Sequence, residues 1–365
     1  MVERAQSRAL MTIHERRTSE TDPARRGREY GSAWSEQIRN AAQEYAVLFR
    51  QMGIGDDDVR RVCAQSLQVT ERYTPEIAAE LLGIATGAGL APWQVMAINA
   101  RTEVLALAPP EQECSAAVYL PADGSAPRTV QTWDWRPEVA EGSLVSTISG
   151  PDDSRVITFA ELGQVAKIGV NSRGLGLHFN ILAHRSDGSR PGLPVHVLTR
   201  HILDRAGSVA EAAELARSVP LAASTVLTVA TGGPEPEAAC LELTPVGVAV
   251  LPGRRGELLS HTNHFLDPEL GRGERPKDGT TSHARLDYLR EHADLVADPD
   301  PIRRVQSLAA ADSVPICVRP EPGVAAHRNV ETKATFTLGL EGASLGFHAG
   351  GPRDVRPQSW RTVFA

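Results

Sequence analysis

A chain of 365 residues with 41% hydrophobic residues holds enough apolar material for one large domain or two ordinary ones with a sizeable core. Its formal charge of -7 comes from 38 basic and 45 acidic residues, interspersed rather than blocked. That excludes the concentrated basic face of a nucleic-acid or membrane-surface binder.

Residues 1–27 carry scattered Arg and Glu and no apolar stretch, so they read as a disordered leader rather than a secretory signal. No apolar run approaches the roughly 18–20 residues that cross a bilayer. Together these features point to a cytoplasmic protein. Helical spacing of Ile38, Ala41, Tyr45, Leu48 and Met52 predicts a helix over 33–52. Further helices are expected over 56–70 and 75–87, with Pro75 in a first turn and Gly87 and Gly89 as stops. Another is expected over 92–107. Asp56-Asp57-Asp58 suits a helix N-terminus better than a cation site.

Residues 108–113, Ala-Pro-Pro-Glu-Gln-Glu, then make a helix stop and an exposed linker. From Cys114 the period shortens towards two. Strands are expected over 114–120, 128–135 and 156–162, and a hairpin over 167–170 and 175–182 around Asn171-Ser172-Arg173-Gly174. Helices follow over 195–206 and 209–219, strands over 225–230 and 239–251, helices over 282–293 and 302–310, and strands over 334–340 and 344–348. This order suggests two sheets held between helical layers, an α+β fold of αββα four-layer sandwich type. The segments are 1–27 as leader, 28–113 as a helical pro-region and 114–365 as a strand-led piece.

The four cysteines, Cys63, Cys114, Cys240 and Cys317, form no C-x-x-C pair. Cys63 and Cys240 read as small buried hydrophobes. There is no phosphate-binding G-x-x-x-x-G-K-[ST]. Gly174-Leu175-Gly176 is a turn, and the G-x-S-x-G string at 342–346 lies too near the C-terminus for a serine elbow. His261, His264 and His283 could be combined into a zinc site, but no carboxylate sits beside them at helical spacing. The expectation is no metal and no cofactor.

What remains is a cysteine directly after a linker and at the start of a strand. Cys114 through Tyr119 to Gln131-Thr132-Trp133-Asp134-Trp135 resembles the penicillin acyltransferase family (peptidase family C45) of N-terminal-nucleophile hydrolases. Tyr73-Thr74-Pro75 with Glu80 through Gly89, Ile98 through Glu103, Lys167 through Leu175 with Asn180, and His261 through Phe265 resemble other family segments in the same order.

The resemblance implies a precursor that cuts itself between Glu113 and Cys114, leaving residues up to Glu113 as a small subunit. Cleavage would give Cys114 a free α-amine, whose pKa of about 7.7–8.0 lets one residue serve as nucleophile and base. The resemblance gives Asp134 a role in orienting the amine or thiol, and Asn263 a role as donor to an oxyanion. It places Ser282, Arg285 and Trp133 at the substrate pocket. By residue type alone these would be a helix cap, a helix charge and a core aromatic. The implied activity is amide hydrolysis or acyl transfer through an acyl-cysteine, on a small acyl amide or acyl thioester, with a small amine as a possible acceptor.

Two positions depart from the family pattern, Glu113 where Gly is common and Ala116 where Thr or Ser is common. They motivate an alternative, an unprocessed homologue serving as a binding or biosynthetic partner protein. Intact-mass measurement and N-terminal sequencing decide between the two. The expected outcome is a fragment that begins Cys-Ser-Ala-Ala-Val-Tyr, and a chain that stays in one piece while active excludes the cut.

Overall fold

The computed structural model describes residues 11–109, 114–139, 142–150, 154–275, 277, 279–310, 316–320, 323 and 329–365. Before the linker it forms β1 (Thr12–Thr18), α1 (Pro23–Ala33), α2 (Ser35–Gln51), α3 (Asp56–Tyr73), α4 (Pro75–Ala88), α5 (Pro92–Asn99) and α6 (Arg101–Leu105). The local signals act as expected. Proline opens α1, α4 and α5, Asp22 accepts from Arg25 N to cap α1, and Gly89 ends α4 at φ 67°. The helix expected over 92–107 is broken at Ala100.

The leader expectation fails from Met11 onward. Residues 12–18 are a strand and residue 23 already begins a helix. The polar, charged composition misled because β1 is an edge strand, partly exposed along its length and pairing on one side only. Residues 1–10 lie outside the described residues.

Helices α1 and α4 meet through glycine on both sides. A methyl group on Gly27 would collide with Glu80 O, on Gly31 with Ile84 O, on Gly83 with Ala24 O and on Gly87 with Arg28 O. Spacing of four on each helix lines the glycines along one face, so the two backbones touch directly. The contact brings buried Arg26 to Glu80, 2.7 Å apart. Arg200, from beyond the linker, reaches the same Glu80 oxygen at 3.2 Å and Asp204 at 2.7 Å. Burial alone would raise the Glu80 pKa, but the two guanidiniums hold it down to about 2.

After the linker come β2 (Cys114–Tyr119), β3 (Arg128–Trp135), β4 (Gly142–Ser149), β5 (Arg155–Glu161), β6 (Ile168–Asn171), β7 (Leu175–Ile181), α7 (Val195–Arg205), α8 (Val209–Arg217), β8 (Thr225–Thr231), β9 (Glu237–Thr244), β10 (Gly247–Pro252) and β11 (Leu258–His261). The chain finishes with α9 (Pro268–Gly271), α10 (Ser282–Glu291), α11 (Ala293–Val296), α12 (Pro301–Ser307), β12 (Glu331–Gly339), β13 (Ser344–Ala349) and β14 (Arg361–Phe364). The single strand expected over 239–251 is a hairpin, β9 and β10, turning at Pro245-Val246.

Among the described residues the strands form two sheets, β1-β4-β5-β6-β7-β8-β9-β10 and β11-β2-β3-β12-β13-β14. Of these strands β1 and β4 pair in parallel and the rest antiparallel. The sheets face one another, α7 and α8 cover the larger, and α10 to α12 cover the smaller. This is the αββα sandwich. Among the described residues no single helix is long and apolar enough to cross a membrane.

The glycine contact yields a stability prediction. Gly31→Ala should lower unfolding free energy by about 1–3 kcal/mol through overpacking, read from denaturant midpoints. Gly55→Ala, where a methyl group meets nothing within 4 Å, should leave the midpoint nearly unchanged.

Candidate active site

Glu113, and with it the expected cut, lies outside the described residues. Cys114 opens β2, the strand between β11 and β3. Trp133 is its pairing partner on β3, and His261 on β11 pairs with Ala116. That register ends β11 beside Cys114, so the next residues, Thr262-Asn263-His264, fold over it.

Cys114 N donates to Asn263 Oδ1 at 2.6 Å, and Arg285 Nη2 donates to the same oxygen at 3.0 Å. Arg285 Nη1 donates to Cys114 O at 2.6 Å and to Ser115 Oγ at 2.7 Å. The Cys114 carbonyl also accepts from Asn180 Nδ2 at 3.2 Å. Asn263 Nδ2 donates to Ile181 O at 2.8 Å, so that amide nitrogen is engaged as well.

Ser282 Oγ is the buttress of this arrangement. It accepts from Asn263 N at 2.8 Å, lies 2.7 Å from His264 Nδ1 and donates to Thr262 Oγ1 at 2.9 Å. Thr262 Oγ1 in turn donates to Ser282 O at 3.0 Å, which closes the loop between the two residues.

Asp134 follows Trp133 on β3. Its backbone oxygen is 3.9 Å from Cys114 Sγ, and its Oδ1 accepts from Thr332 Oγ1 at 2.6 Å. Burial, and then the Asp134 charge, push the Cys114 thiol up to about 11. In this environment the sulfur is therefore a thiol at neutral pH.

Cys114, Asp134, Asn263, Ser282 and Arg285 thus come together. Trp133 packs edge-on to Phe159 in the space between the sheets, with ring centroids 5.4 Å apart. A cavity of about 840 Å³, counting its open mouth, adjoins the cluster. Asn263 and His264 line it, while Trp133, Ser282 and Arg285 do not. Met52, Leu105, Ala108 and Pro109 form one wall and Ile181, Leu182 and Ala183 another. Arg275 fixes the first wall by donating to Ala106 O at 2.8 Å and Ala108 O at 2.9 Å.

The histidines do not assemble a zinc site. His261 Nε2 pairs with Glu242 Oε1 at 2.7 Å, while His264 and His283 stack with centroids 3.8 Å apart. Among the described residues no cluster of three or more His, Cys, Asp or Glu is arranged to hold a metal ion.

Sequence reasoning gave no role to a second group of polar residues behind Trp133. Arg101, Glu161 and Lys167 are at most 1% exposed. Glu161 Oε1 is 3.0 Å from Arg101 Nη2 and 3.1 Å from Lys167 Nζ, and Glu161 Oε2 accepts from Tyr45 OH. Lys167 Nζ lies 3.7 Å from the Trp133 ring centroid, and Arg101 sits over Trp135. Arg101 and Lys167 stand inside segments that carried the family resemblance, but only their burial marks them as more than surface charges.

A family model described as acyl-coenzyme A:6-aminopenicillanic acid acyl-transferase matches residues 122–315, more than half of the chain. The chain belongs to this family. The match includes Asp134, Lys167, Asn263, Ser282 and Arg285, and Cys114 lies just upstream. A curated relative, the 40 kDa form of acyl-coenzyme A:6-aminopenicillanic-acid-acyltransferase of Emericella nidulans, is 25% identical over 277 residues, 74% of this chain and 76% of that protein. Among solved structures, penicillin V acylase from Agrobacterium tumefaciens is 13% identical with a TM-score of 0.40, covering 65% of this chain and 83% of the other. A mutant of a conjugated bile acid hydrolase from Clostridium perfringens is 12% identical with a TM-score of 0.43, covering 69% and 92%.

The buttress can be tested without a substrate. Ser282→Ala removes the partner of half-buried Asn263 N and of buried His264 Nδ1, and should cost about 1–3 kcal/mol of stability. Urea unfolding measures the loss.

Proposed function

We propose that this chain is the precursor of an N-terminal-cysteine amidohydrolase or acyltransferase, activated by a cut before Cys114. The observation that carries the reading is the 2.6 Å bond from Cys114 N to Asn263 Oδ1, with Arg285 and Asn180 on the adjoining carbonyl. A peptide nitrogen has no basic lone pair. The same nitrogen freed as an α-amine titrates near pH 7.7–8.0 and can take the thiol proton. Asn263 Oδ1 already stands where it would orient that amine, so holding the base joins the oxyanion role that family resemblance assigns to Asn263. The high thiol pKa and the amide nitrogen both favour a precursor inert towards outside substrates.

In the mature form the Cys114 thiolate would attack the acyl carbonyl, expel the amine or thiol and leave an acyl-cysteine for water or an amine. The cavity beside Asn263 opens to solvent next to the cluster, where a small substrate could enter. Its mixture of aliphatic walls with Arg136, Arg275 and His283 suits a small acyl amide or acyl thioester carrying a polar group. Family membership and the name of the Emericella relative support acyl transfer to a small amine. Residues up to Glu113 would stay as the small subunit, since they contribute β1, α1 to α6 and one cavity wall. The residues present supply nucleophile, base and donors, so the proposed reaction calls on no cofactor.

Cys114→Ala should remain one chain, keep the wild-type thermal transition and lose activity. During turnover of acyl amides or thioesters, mass spectrometry should find the substrate acyl group on the wild-type Cys114 peptide. Adding a small amine should raise amide product at the expense of free acid. A properly cut enzyme that forms no adduct with any member of such a panel refutes the acyl-cysteine.

A further inference from the structure

The proposed mature enzyme has its base in the α-amine of Cys114, but the precursor does not. While the bond before Cys114 is intact, that nitrogen is an amide, and a different group must take the thiol proton for the chain to cut itself. We propose that Lys167 is this base. The inference rests on the reading of the chain as self-cleaving.

The placement comes from the sheets. Residues paired across β2 and β3 point to the same face, so the Cys114 and Trp133 side chains stand side by side, with Cβ atoms about 4.5–5.5 Å apart. Lys167 comes from the facing sheet, just before β6, and its Nζ lies 3.7 Å from the Trp133 ring centroid. The amine therefore enters the same space between the sheets as the Cys114 side chain, on the side of β2 away from Arg285, where the two groups act on one another's charge. The thiol rests against Asp134 O at 3.9 Å, so transfer requires a rotation of the Cys114 side chain or one bridging water.

The charges around Lys167 favour a neutral amine. Among the described residues Glu161 on β5 is the carboxylate it touches, and Arg101 of α6, which cannot be deprotonated, already pairs with it. Tyr45 of α2 occupies the other Glu161 oxygen, and His196 of α7 faces the cluster as a neutral ring, its pKa lowered by burial and the two cations. Two cations against one anion in a buried space leave one positive charge in excess, and lysine is the member that can release it. Burial and Arg101 push the Lys167 pKa down to about 7, against the opposing pull of Glu161. Burial, and then the Asp134 charge, raise the thiol pKa, so little thiolate forms at neutral pH without a base to receive the proton.

The step balances. Neutral Lys167 takes the thiol proton, and sulfur attacks the carbonyl carbon of the preceding residue. The C–N bond breaks as the Cys114 nitrogen takes a proton back from the lysine ammonium. Water then hydrolyses the thioester, returning the thiol and leaving a carboxylate and a free α-amine.

The test uses the full chain, isolated at pH 5 and jumped to a series of pH values, with the cut followed by intact mass. The wild-type rate should rise about tenfold per pH unit below about 7 and then level. A rate that is flat, or that climbs without a plateau towards pH 10, overturns the proposal, and this measurement needs no variant. Lys167→Met should slow the cut by about 10²–10⁴-fold. Lys167→Arg keeps the charge beside Glu161 but cannot accept a proton, so it should be as slow. Recovery of the rate by Arg would make the residue a counter-charge and refute the base. Thermal transitions identify any variant that has not folded. A wild-type chain that never cuts removes the self-cleavage reading, whereas a cut that persists in folded Lys167→Met removes Lys167 alone.

Discussion

The nitrogen of a strand's first residue commonly points to water or to a neighbouring backbone carbonyl. At Cys114 it points instead to a side-chain amide 149 positions later, and the sandwich is arranged to keep it there. The pairing of β11 with β2 brings Asn263 to the spot, Ser282 at the start of α10 holds its backbone, and Arg285 one turn further on holds its oxygen. A slip of one residue between β11 and β2 would reverse every side chain on β11 and carry Asn263 away. Asn180 opposes such a slip, because its one amide nitrogen donates to the carbonyls of Cys114, His261 and Thr262, joining β7 of one sheet to both strands of the other.

Charge burial follows a consistent pattern. Arg26 and Glu80 with Arg200, and Arg101 with Glu161 and Lys167, each join residues before the linker to residues after it. Glu103 adds a third tie by accepting from Val195 N at the start of α7, at 2.8 Å. Buried ion pairs are a poor way to gain net stability, since desolvation consumes most of the attraction, but removing one partner costs about 3–5 kcal/mol. Each of these pairs spans the two segments, so loss of either partner is felt on both sides of the linker.

The helices and most central strands were legible because local signals and burial agree. Proline at N1 of α4, Gly89 at its end, and β-branched residues in β3 and β8 each match what the backbone does. Edge strands were the failure. β1, β11 and β14 are short or polar and receive their strand character from a neighbour rather than from their own pattern, and β4 was lost because Gly142 and three serines dilute its apolar run. At the site, Cys114, Asp134, Asn263, Ser282 and Arg285 were nameable from motif resemblance, and the structure brings them together. Lys167 and Arg101 were present in the same motifs without a role, because a charged residue in a sequence gives no sign that it will be buried.

The two outer strands also meet. Arg361 of β14 donates to Ile13 O at 2.9 Å and pairs with Glu15, while Arg17 of β1 donates to Phe364 O at 2.8 Å. Strand β1 is the edge of one sheet and β14 the edge of the other. The two ends of the described chain therefore run side by side, and the stretch from residue 365 back to residue 11 spans about 20 Å at roughly 3.3 Å per strand residue. A short flexible tether could join them, and the chain could be reopened before Cys114. Such a circular permutant would need only the removal of its initiating methionine to carry the cysteine at the front, so the covalent order of the molecule could be changed while the neighbourhood of that cysteine stays as it is.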